Sequence, residues 1–301
     1  MRQRLTMGVS LGGGGIRGAA HIGVLKVLHE AGIPITHLAG SSSGAIIGAM
    51  YAATRDPEWI ESHFRAFLES EAFRQLGTDA LKKDRDPDSF LDQIARKVQD
   101  RLVIMLAMSR ISVIKRERLE RAIRYLLPVD SFEELALPLD VAATDLATGE
   151  PVYYHSGNLI EAVVQSSSIP GFVPPTMVNG KILVDGGVSV PNPALELKKN
   201  AAVVVAVDIA RRNLAPEPPG NILEILSRTE AVTSMHLNDL MIRSADVIIE
   251  PDVLGLHWSE FDQFEPLFQN GIQAAEEAVP IIRQRLRQSL WSRLKFWWPF
   301  T

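Results

Sequence analysis

The first fifty residues alternate between apolar runs, glycine-rich turns and helical stretches, and this order constrains the fold more than any other feature. Met7–Leu11 is a short, mostly apolar run, residues 17–31 carry apolar side chains at helical spacing, and Ile35–Ala39 is a second strand candidate. Gly44–Ala53 follows as an apolar helical stretch. This βαβα alternation predicts an α/β fold with a mainly parallel sheet covered by helices.

In the middle of the chain the sequence pattern changes from strands to charged, amphipathic helices and then returns to strands. Residues 55–127 are rich in charged, amphipathic sequence and predict a helical insertion, which either acts as a lid or simply packs beside the sheet. Hairpin turns are predicted at residues 145–150 and around the pair Asn179-Gly180. The fully apolar run Ala201–Val207 is typical of a strand in the middle of a sheet.

The C-terminal part is predicted to be largely helical. A proline-rich linker at 215–219 precedes a long helix, a short strand at Val247–Glu250 and a helical tail. We therefore expect one α/β domain over residues 5–212 and a helical extension over residues 213–301.

The composition of the chain excludes several classes of protein and of binding site. A net charge of -5 argues against nucleic acid as the main partner, and the chain contains no cysteine for disulfides or thiolate metal sites. The closely spaced carboxylates in 84–92 fit a solvated loop and the start of the helix after it better than a metal site. No metal or other cofactor is therefore expected. No window of about 18 apolar residues suggests a spanning helix. The N-terminus lacks a signal-peptide core, so we expect a cytoplasmic protein.

A glycine-rich loop lies between the first strand and the first helix. It reads Gly12-Gly13-Gly14-Gly15-Ile16-Arg17-Gly18. Such loops also bind dinucleotides, but that function needs a carboxylate at the end of the second strand, and here the strand ends in Ala39-Gly40. Successive N–H groups at a helix N-terminus also form a pocket for negative charge, which in acyl transfer would be an oxyanion hole.

The end of the second strand carries a candidate catalytic motif. Gly40–Gly44 reads GSSSG, a G-x-S-x-G pattern between a strand and a helix. The glycines permit a sharp turn that would present Ser42 as a nucleophile, with the Ser43 N–H directed at the oxyanion. An ordinary helix N-cap is the alternative interpretation. Because the two loops follow neighbouring strands, we expect them at the same sheet edge.

A nucleophilic serine needs a base, and no histidine lies in an obviously catalytic context. The seven histidines are His21, His29, His37, His63, His155, His236 and His257. A Ser-His-Asp triad that uses His236 or His257 stays open as one alternative. The stronger candidate is Asp185, which ends an apolar run and precedes two glycines, although an aspartate that opens a turn is also common.

These motifs, in this order, resemble the patatin-like phospholipase family. The matching segments are GGGIRG at Gly13–Gly18, GSSSG at Gly40–Gly44 and DGG at Asp185–Gly187. The likeness extends to Ala143-Thr144-Asp145 and to the run 166–175, and within the family it is similar to bacterial members related to the neuropathy-target-esterase catalytic domain. The motif glycines under this resemblance include Gly18, Gly40, Gly44, Gly186 and Gly187.

The resemblance implies a three-layer fold, with helices on both faces of the sheet, and a Ser-Asp dyad without histidine. Asp185 would deprotonate Ser42 and later activate water, while Gly13, Gly14 and Gly15 would form the oxyanion loop. Arg17 would orient that loop or bind the negative charge of a phosphate or of the oxyanion. One departure is Gly12, where many relatives have aspartate, and this puts the neighbouring loop contacts in doubt.

The C-terminal tail predicts contact with a membrane surface. Arginines and a lysine are interleaved with leucines over 281–295, and three of the five tryptophans lie in the last eleven residues. A basic amphipathic helix that ends in aromatics is typical of a segment in a bilayer interface, here the inner membrane face. The alternative is a helix packed back onto the domain.

The favoured hypothesis is a serine hydrolase that cleaves a lipid ester, such as a phospholipid or lysophospholipid, through an acyl-serine intermediate. An acyltransferase with the same residues and a catalytically silent lipid- or nucleotide-binding module are the alternatives. The oligomeric state cannot be inferred from the sequence.

Overall fold

The computed structural model describes residues 6–77, 112–213 and 218–296, and it confirms the α/β class. Eight strands form one sheet in the order β5-β6-β3-β2-β1-β7-β8, and β4 pairs with the other edge of β3. The strands are β1 (Met7–Leu11), β2 (Ile35–Ser41), β3 (Leu139–Asp145), β4 (Pro151–Tyr154), β5 (Thr176–Val178), β6 (Lys181–Asp185), β7 (Val203–Val207) and β8 (Val247–Ile249).

The sheet is parallel through its centre and antiparallel at one edge. Strands β3, β2, β1, β7 and β8 run parallel to their neighbours, whereas β4 and β6 are antiparallel to β3, and β5 is antiparallel to β6. The two antiparallel hairpins confirm the turns predicted at 145–150 and at Asn179-Gly180. Strand β7 lies between β1 and β8, as its wholly apolar sequence predicts.

Helices surround this sheet. They are α1 (Ala19–Glu30), α2 (Ser43–Thr54), α3 (Pro57–Glu69), α4 (Glu71–Arg74), α5 (Arg116–Leu126), α6 (Leu159–Ser166), α7 (Ala194–Leu197), α8 (Ile222–Ile242) and α9 (Phe264–Phe296). The helix predicted from residue 17 begins later, because Gly15–Gly18 forms a turn of 3₁₀-helix first. The described part of the predicted insertion is helical, and its polar loop and apolar patch at 83–88 and 102–108 lie outside the described residues.

The C-terminal helix α9 packs directly on α1 and shares the main core with the sheet. A Cβ atom at Gly23 would lie 2.3 Å from the Phe268 carbonyl oxygen, and one at Gly271 would lie 2.1 Å from the Ala20 carbonyl oxygen. Two glycines therefore allow these helices to cross in backbone contact. Ile282 and Leu286 of α9 are buried in the same core, so the first part of the predicted tail is packed against the domain.

The helices of the described ranges do not include one with the length and apolarity that a bilayer crossing requires.

Candidate active site

The site forms where the loops after β1 and β2 meet at the C-terminal edge of the sheet. These strands are parallel neighbours, with Leu11 opposite Gly40 in the register. Helix α2 then starts against the end of β1, because a Cβ atom at Gly44 would lie 2.1 Å from the Leu11 carbonyl oxygen. Only glycine permits this approach, so the motif brings the glycine-rich loop and the serine turn into contact.

Ser42 lies at a strained turn between β2 and α2. Its backbone has φ 53° and ψ -122°, a conformation with positive φ that is uncommon for a residue with a side chain. Gly40 tightens the same turn, because a Cβ atom there would lie 2.5 Å from the Gly44 carbonyl oxygen. The Ser42 N–H donates to Ser166 Oγ at 2.9 Å, so a residue from helix α6 fixes the turn.

The Ser42 hydroxyl and the Asp185 carboxylate meet at the end of the sheet. Ser42 Oγ donates to Asp185 Oδ2 at 2.7 Å, and the two residues are only 7% and 6% exposed. The other carboxylate oxygen, Oδ1, accepts the Gly187 N–H at 2.7 Å. Thr144 Oγ1 donates to the Asp185 carbonyl oxygen at 3.0 Å, which holds the backbone of this residue against β3.

Burial alters the acidity of this carboxylate. It raises the pKa of Asp185 to about 6, although the hydrogen bonds from Ser42 and Gly187 act in the opposite direction. The negative charge of Glu230, on α8, raises the pKa further. The result is a carboxylate that is still ionised at neutral pH but is a stronger base than an exposed aspartate.

The glycine-rich loop offers N–H donors beside Ser42. Gly13 does not supply one in this structure, because its N–H donates to the Pro191 carbonyl oxygen at 2.9 Å. Its contribution is steric, since a Cβ atom there would lie 3.2 Å from Ser42 Cβ. The N–H groups of Gly14, Gly15 and Ser43 make no hydrogen bond within the described part of the chain.

Two side chains hold the loop in place. Arg17 Nε donates to the Gly14 carbonyl oxygen at 3.1 Å. His21 Nε2 lies 2.8 Å from the Gly12 carbonyl oxygen, which only accepts, so this nitrogen carries the proton. Burial lowers the pKa of His21 to about 4, which keeps the ring neutral. The sequence alone indicates no role for His21, and the contact with Gly12 gives it a structural one.

An apolar cavity of about 120 Å³ opens beside Ser42. Helices α3 and α5, from the predicted insertion, form one wall, and the segments around Phe172 and Trp258 form another. Its lining includes Ile46, Ile47, Phe64, Phe67, Leu76, Ile114, Leu119, Ala122, Ile123, Leu126, Ile169, Phe172, Val173, Trp258 and Phe261.

The histidines and acidic residues do not form another catalytic or metal centre in the ranges that the structure covers. No histidine there is hydrogen bonded to Ser42 or Asp185, and the hydrogen bond of His257 Nδ1 is to Ser259 Oγ. His236 is exposed on α8. Within those same ranges, no group of three or more metal-binding side chains could hold an ion.

Fold and site together define an α/β protein that pairs a serine on a strand-to-helix turn with a buried carboxylate. The chain belongs to the patatin-like phospholipase family, whose model matches residues 9–198. It is 31% identical over 230 residues to an uncharacterized NTE family protein of Mycobacterium bovis, a match that covers 75% of this chain and 56% of the relative. The chain thus spans just over half the length of that relative.

Other similar proteins are more distant. A protein of Aspergillus fumigatus named lysophospholipase nte1 is 27% identical over 296 residues, which cover 88% of this chain and 18% of that protein. Among solved structures, VipD from Legionella pneumophila has a TM-score of 0.50 at 16% identity and covers 95% of this chain and 67% of its own. Human GIVD cytosolic phospholipase A2 has the same TM-score at 14% identity, with coverage of 95% and 59%. These structures support the fold.

Proposed function

We propose that this protein is a serine hydrolase of lipid esters, with Ser42 as nucleophile and Asp185 as base. The observation that carries the proposal is the 2.7 Å hydrogen bond between Ser42 Oγ and Asp185 Oδ2, at the end of an apolar cavity. A nucleophile within hydrogen-bond reach of a base is the arrangement that covalent catalysis requires. Membership of the patatin-like phospholipase family supports the same chemistry.

In the first half-reaction, Ser42 Oγ attacks the ester carbonyl carbon while Asp185 Oδ2 takes the hydroxyl proton. The carbonyl oxygen becomes an oxyanion, which the free N–H groups of Gly14, Gly15 and Ser43 can stabilise. Each such donor is worth roughly 3–4 kcal/mol in comparable sites. The intermediate collapses when the carbon–oxygen bond to the alcohol breaks and Asp185 returns the proton to that alcohol. An acyl-serine remains.

In the second half-reaction, Asp185 takes a proton from water, and the resulting hydroxide attacks the acyl carbon. The tetrahedral intermediate then releases the fatty acid and Ser42 Oγ, which recovers the proton from Asp185. The same carboxylate therefore acts as base and acid in each half, as expected for a dyad without histidine.

The pKa of Asp185 decides how well its carboxylate can act as the general base for the Ser42 hydroxyl. An aspartate in water has a pKa near ~3.9 and is a weak base for a hydroxyl. A pKa of about 6 is closer to neutral pH, where a general base works best. Ser42 also lies at the N-terminus of α2, where the helix dipole stabilises developing negative charge.

The cavity indicates the class of ester. Its lining beyond the serines and glycines is almost entirely aliphatic and aromatic, so it suits a long acyl chain and gives no partner to a polar one. The name of the Aspergillus relative, a lysophospholipase, supports a lipid ester as substrate. We therefore favour phospholipid or lysophospholipid over short soluble esters.

The direct experiment replaces each member of the dyad. Ser42→Ala and Asp185→Asn should abolish hydrolysis of a long-chain p-nitrophenyl ester, and Ser42→Ala should also abolish labelling by a fluorophosphonate probe. Ser62→Ala, an exposed serine of α3, and Asp130→Asn, an exposed aspartate, are matched controls that should retain activity. Retained hydrolysis in both dyad variants would exclude the mechanism.

We also propose that the C-terminal tail binds membranes, which together with the expected cytoplasmic location stays a prediction. The side chains of residues 291–301, including the tryptophans, lie outside the described residues. Because Ile282 and Leu286 belong to the core, a truncation should follow Leu290, which is 44% exposed. Loss of co-sedimentation with anionic liposomes in this truncated chain would support the proposal, and undiminished binding would exclude it.

A further inference from the structure

A second cavity, of mixed polar and apolar lining, lies away from the catalytic serine. Its volume is about 400 Å³, which is within the range of roughly 300–1,000 Å³ that is typical of small-molecule sites. It shares no lining residue with the apolar cavity beside Ser42. The apolar part of its lining consists of Phe132, Pro138 and Leu139, and the polar part includes His37, Asp140 and Glu196.

The strand register brings polar side chains of this cavity to one face of the sheet. Asp140 of β3 is opposite Ala39 of β2, and His37 lies two residues before Ala39, so His37 and Asp140 are on the same face. Ala39 packs in a small core with α7, and the cavity opens beside this core. His37 precedes Ser42 by five residues in the chain, which separates the cavity from the nucleophile by roughly 16 Å along the direction of β2.

Asp140 is buried without a hydrogen-bond donor for one of its carboxylate oxygens. The residue is only 7% exposed, and it lines the cavity. His37 Nε2 lies 2.9 Å from Asp140 Oδ2, but neither atom makes a hydrogen bond within the described part of the chain. A buried carboxylate oxygen without a donor is costly, and such atoms are rare in folded proteins. The cavity in front of Asp140 has room for a molecule that supplies the donor.

A second carboxylate adds negative charge to the same cavity. Burial and the negative charges of Glu196 and Asp140 together raise the pKa of Tyr153 to about 12, so both carboxylates act on this one phenol. Glu196 is compensated, because Lys199 Nζ lies 2.6 Å from its Oε2. Across the ranges that the structure covers, Asp140 has no such lysine or arginine partner, and its ion-pair contact is with the imidazole of His37.

We propose that this cavity binds a small alkylammonium ion, with the ammonium group at Asp140 and the alkyl part against Phe132 and Pro138. An ammonium group offers three N–H donors and carries the charge that Asp140 lacks. A metal ion fits less well because, among the described residues, no group of three or more metal-binding side chains could hold one. The inference is independent of the proposed function, since the two cavities have no residue in common.

The test follows the binding of butylammonium chloride by NMR of the isotopically labelled full chain at constant ionic strength. Butanol is the neutral comparison, because it has the same alkyl chain and the same number of heavy atoms. Butylammonium should shift the amide signals of His37 and His155, which line the cavity, in a saturable manner. It should also bind roughly 10-fold or more tightly than butanol. Equal affinities, or no saturable shift at these amides, would overturn the proposal.

Two substitutions test the assignment to Asp140. Asp140→Asn removes the charge but keeps the shape, and should weaken the binding of butylammonium roughly 10-fold or more. Asn200→Lys places a permanent ammonium group at an exposed position of the cavity lining and should abolish binding, a result that does not depend on the folding of Asp140→Asn. Wild-type affinity in folded Asp140→Asn, or in Asn200→Lys, would overturn the proposal.

The matched control is Asp262→Asn. Asp262 is an exposed aspartate outside the cavity lining, so this variant should bind butylammonium as the wild type does. An equal loss of affinity in this control and in Asp140→Asn would indicate a general effect of net charge and would overturn the proposal.

A last probe separates a free amine from a lysine side chain of another protein, which presents the same butylammonium group. The probe is Nα-acetyl-lysine methylamide. It should bind more weakly than butylammonium, because its peptide groups would lose water at the apolar part of the lining. Equal or tighter binding of this probe would indicate a protein partner and would overturn the assignment to a small free amine.

Discussion

The ionisation of Asp185 should reduce the stability of the fold, and Asp185→Asn should remove this effect. The pKa of Asp185 is about 6 in the folded protein, against an ordinary value of 3.8 for an aspartate exposed to water. The folded state therefore holds a proton that the unfolded state has released between these pH values. Stability contributed by this group is fully present below pH ~4 and is lost as the pH rises through about 6.

The magnitude follows from the size of the shift. One pKa unit corresponds to about 1.4 kcal/mol, so a shift of about two units lowers the free energy of unfolding by roughly 3 kcal/mol at pH 8. Asparagine has almost the same shape and carries no charge. Its oxygen can still accept the Gly187 N–H, and its NH₂ group can donate to Ser42 Oγ, so the packing should survive.

The assay is urea denaturation of the wild type and Asp185→Asn at a series of pH values from 4.5 to 8. The difference between the two free energies of unfolding cancels the other titrating groups, and it should shift in favour of the variant by about 2 kcal/mol across this range. Ser42→Ala, which is also inactive but keeps the carboxylate, should still lose stability as the pH rises, and the loss should extend to higher pH because the hydrogen bond that lowers the pKa of Asp185 is gone. A difference that does not change with pH would refute the raised pKa and the basicity argued from it.

Three further predictions concern the turn, its support and the cavity. Gly44→Ala should unfold the site or prevent folding because its Cβ would meet the Leu11 carbonyl oxygen, whereas Gly48→Ala in the same helix should change the melting temperature little, since its nearest neighbour is a side chain at 3.2 Å. Ser166→Ala leaves the buried N–H of the nucleophilic serine without its acceptor, and should reduce stability by about 1–3 kcal/mol in urea denaturation and kcat about tenfold or more. Ile123→Phe should shift the optimum of a p-nitrophenyl ester series towards shorter acyl chains, and an unchanged chain-length profile would argue against the cavity as the acyl site.

The sequence predicted the order of strands and helices and the meeting of the two loops, because these depend on local pattern and on the geometry of parallel strands. Glycine-rich turns after two adjacent strands have to reach the same edge of the sheet, and the register of Leu11 with Gly40 confirms this. The hairpins were predictable for the same reason, since Asn179-Gly180 specifies a tight turn without help from distant residues.

Contacts between distant segments could not be predicted in the same way. The hydrogen bond from the Ser42 N–H to Ser166 joins residues 124 positions apart, although the serine run 166–168 was visible as part of the family resemblance. The crossing of α1 and α9 depends on Gly23 and Gly271, which in the sequence are only glycines inside helical patterns. Nothing local distinguishes them from flexible positions.

The glycine-rich loop shows how backbone direction limits prediction from sequence. Gly13, Gly14 and Gly15 are chemically equivalent, and the motif names all three as anion donors. In the structure the Gly13 N–H donates to the carbonyl oxygen of Pro191, which lies 178 positions later in the chain. Of the three glycine N–H groups, those of Gly14 and Gly15 are therefore the ones without a partner in the described ranges. Which N–H groups are free to bind an anion depends on this long-range contact, so the motif alone could not distinguish Gly13 from the other two glycines.

The most direct test of the central claim is detection of the acyl-serine itself. The protein would be mixed with p-nitrophenyl laurate, quenched in acid within the first turnovers and digested for peptide mass spectrometry. We predict a laurate mass on the peptide that contains Ser42, located on that residue by fragmentation and missing from Ser42→Ala. A wild type that hydrolyses the ester while Ser42 remains unmodified and another residue carries the acyl group would contradict the account.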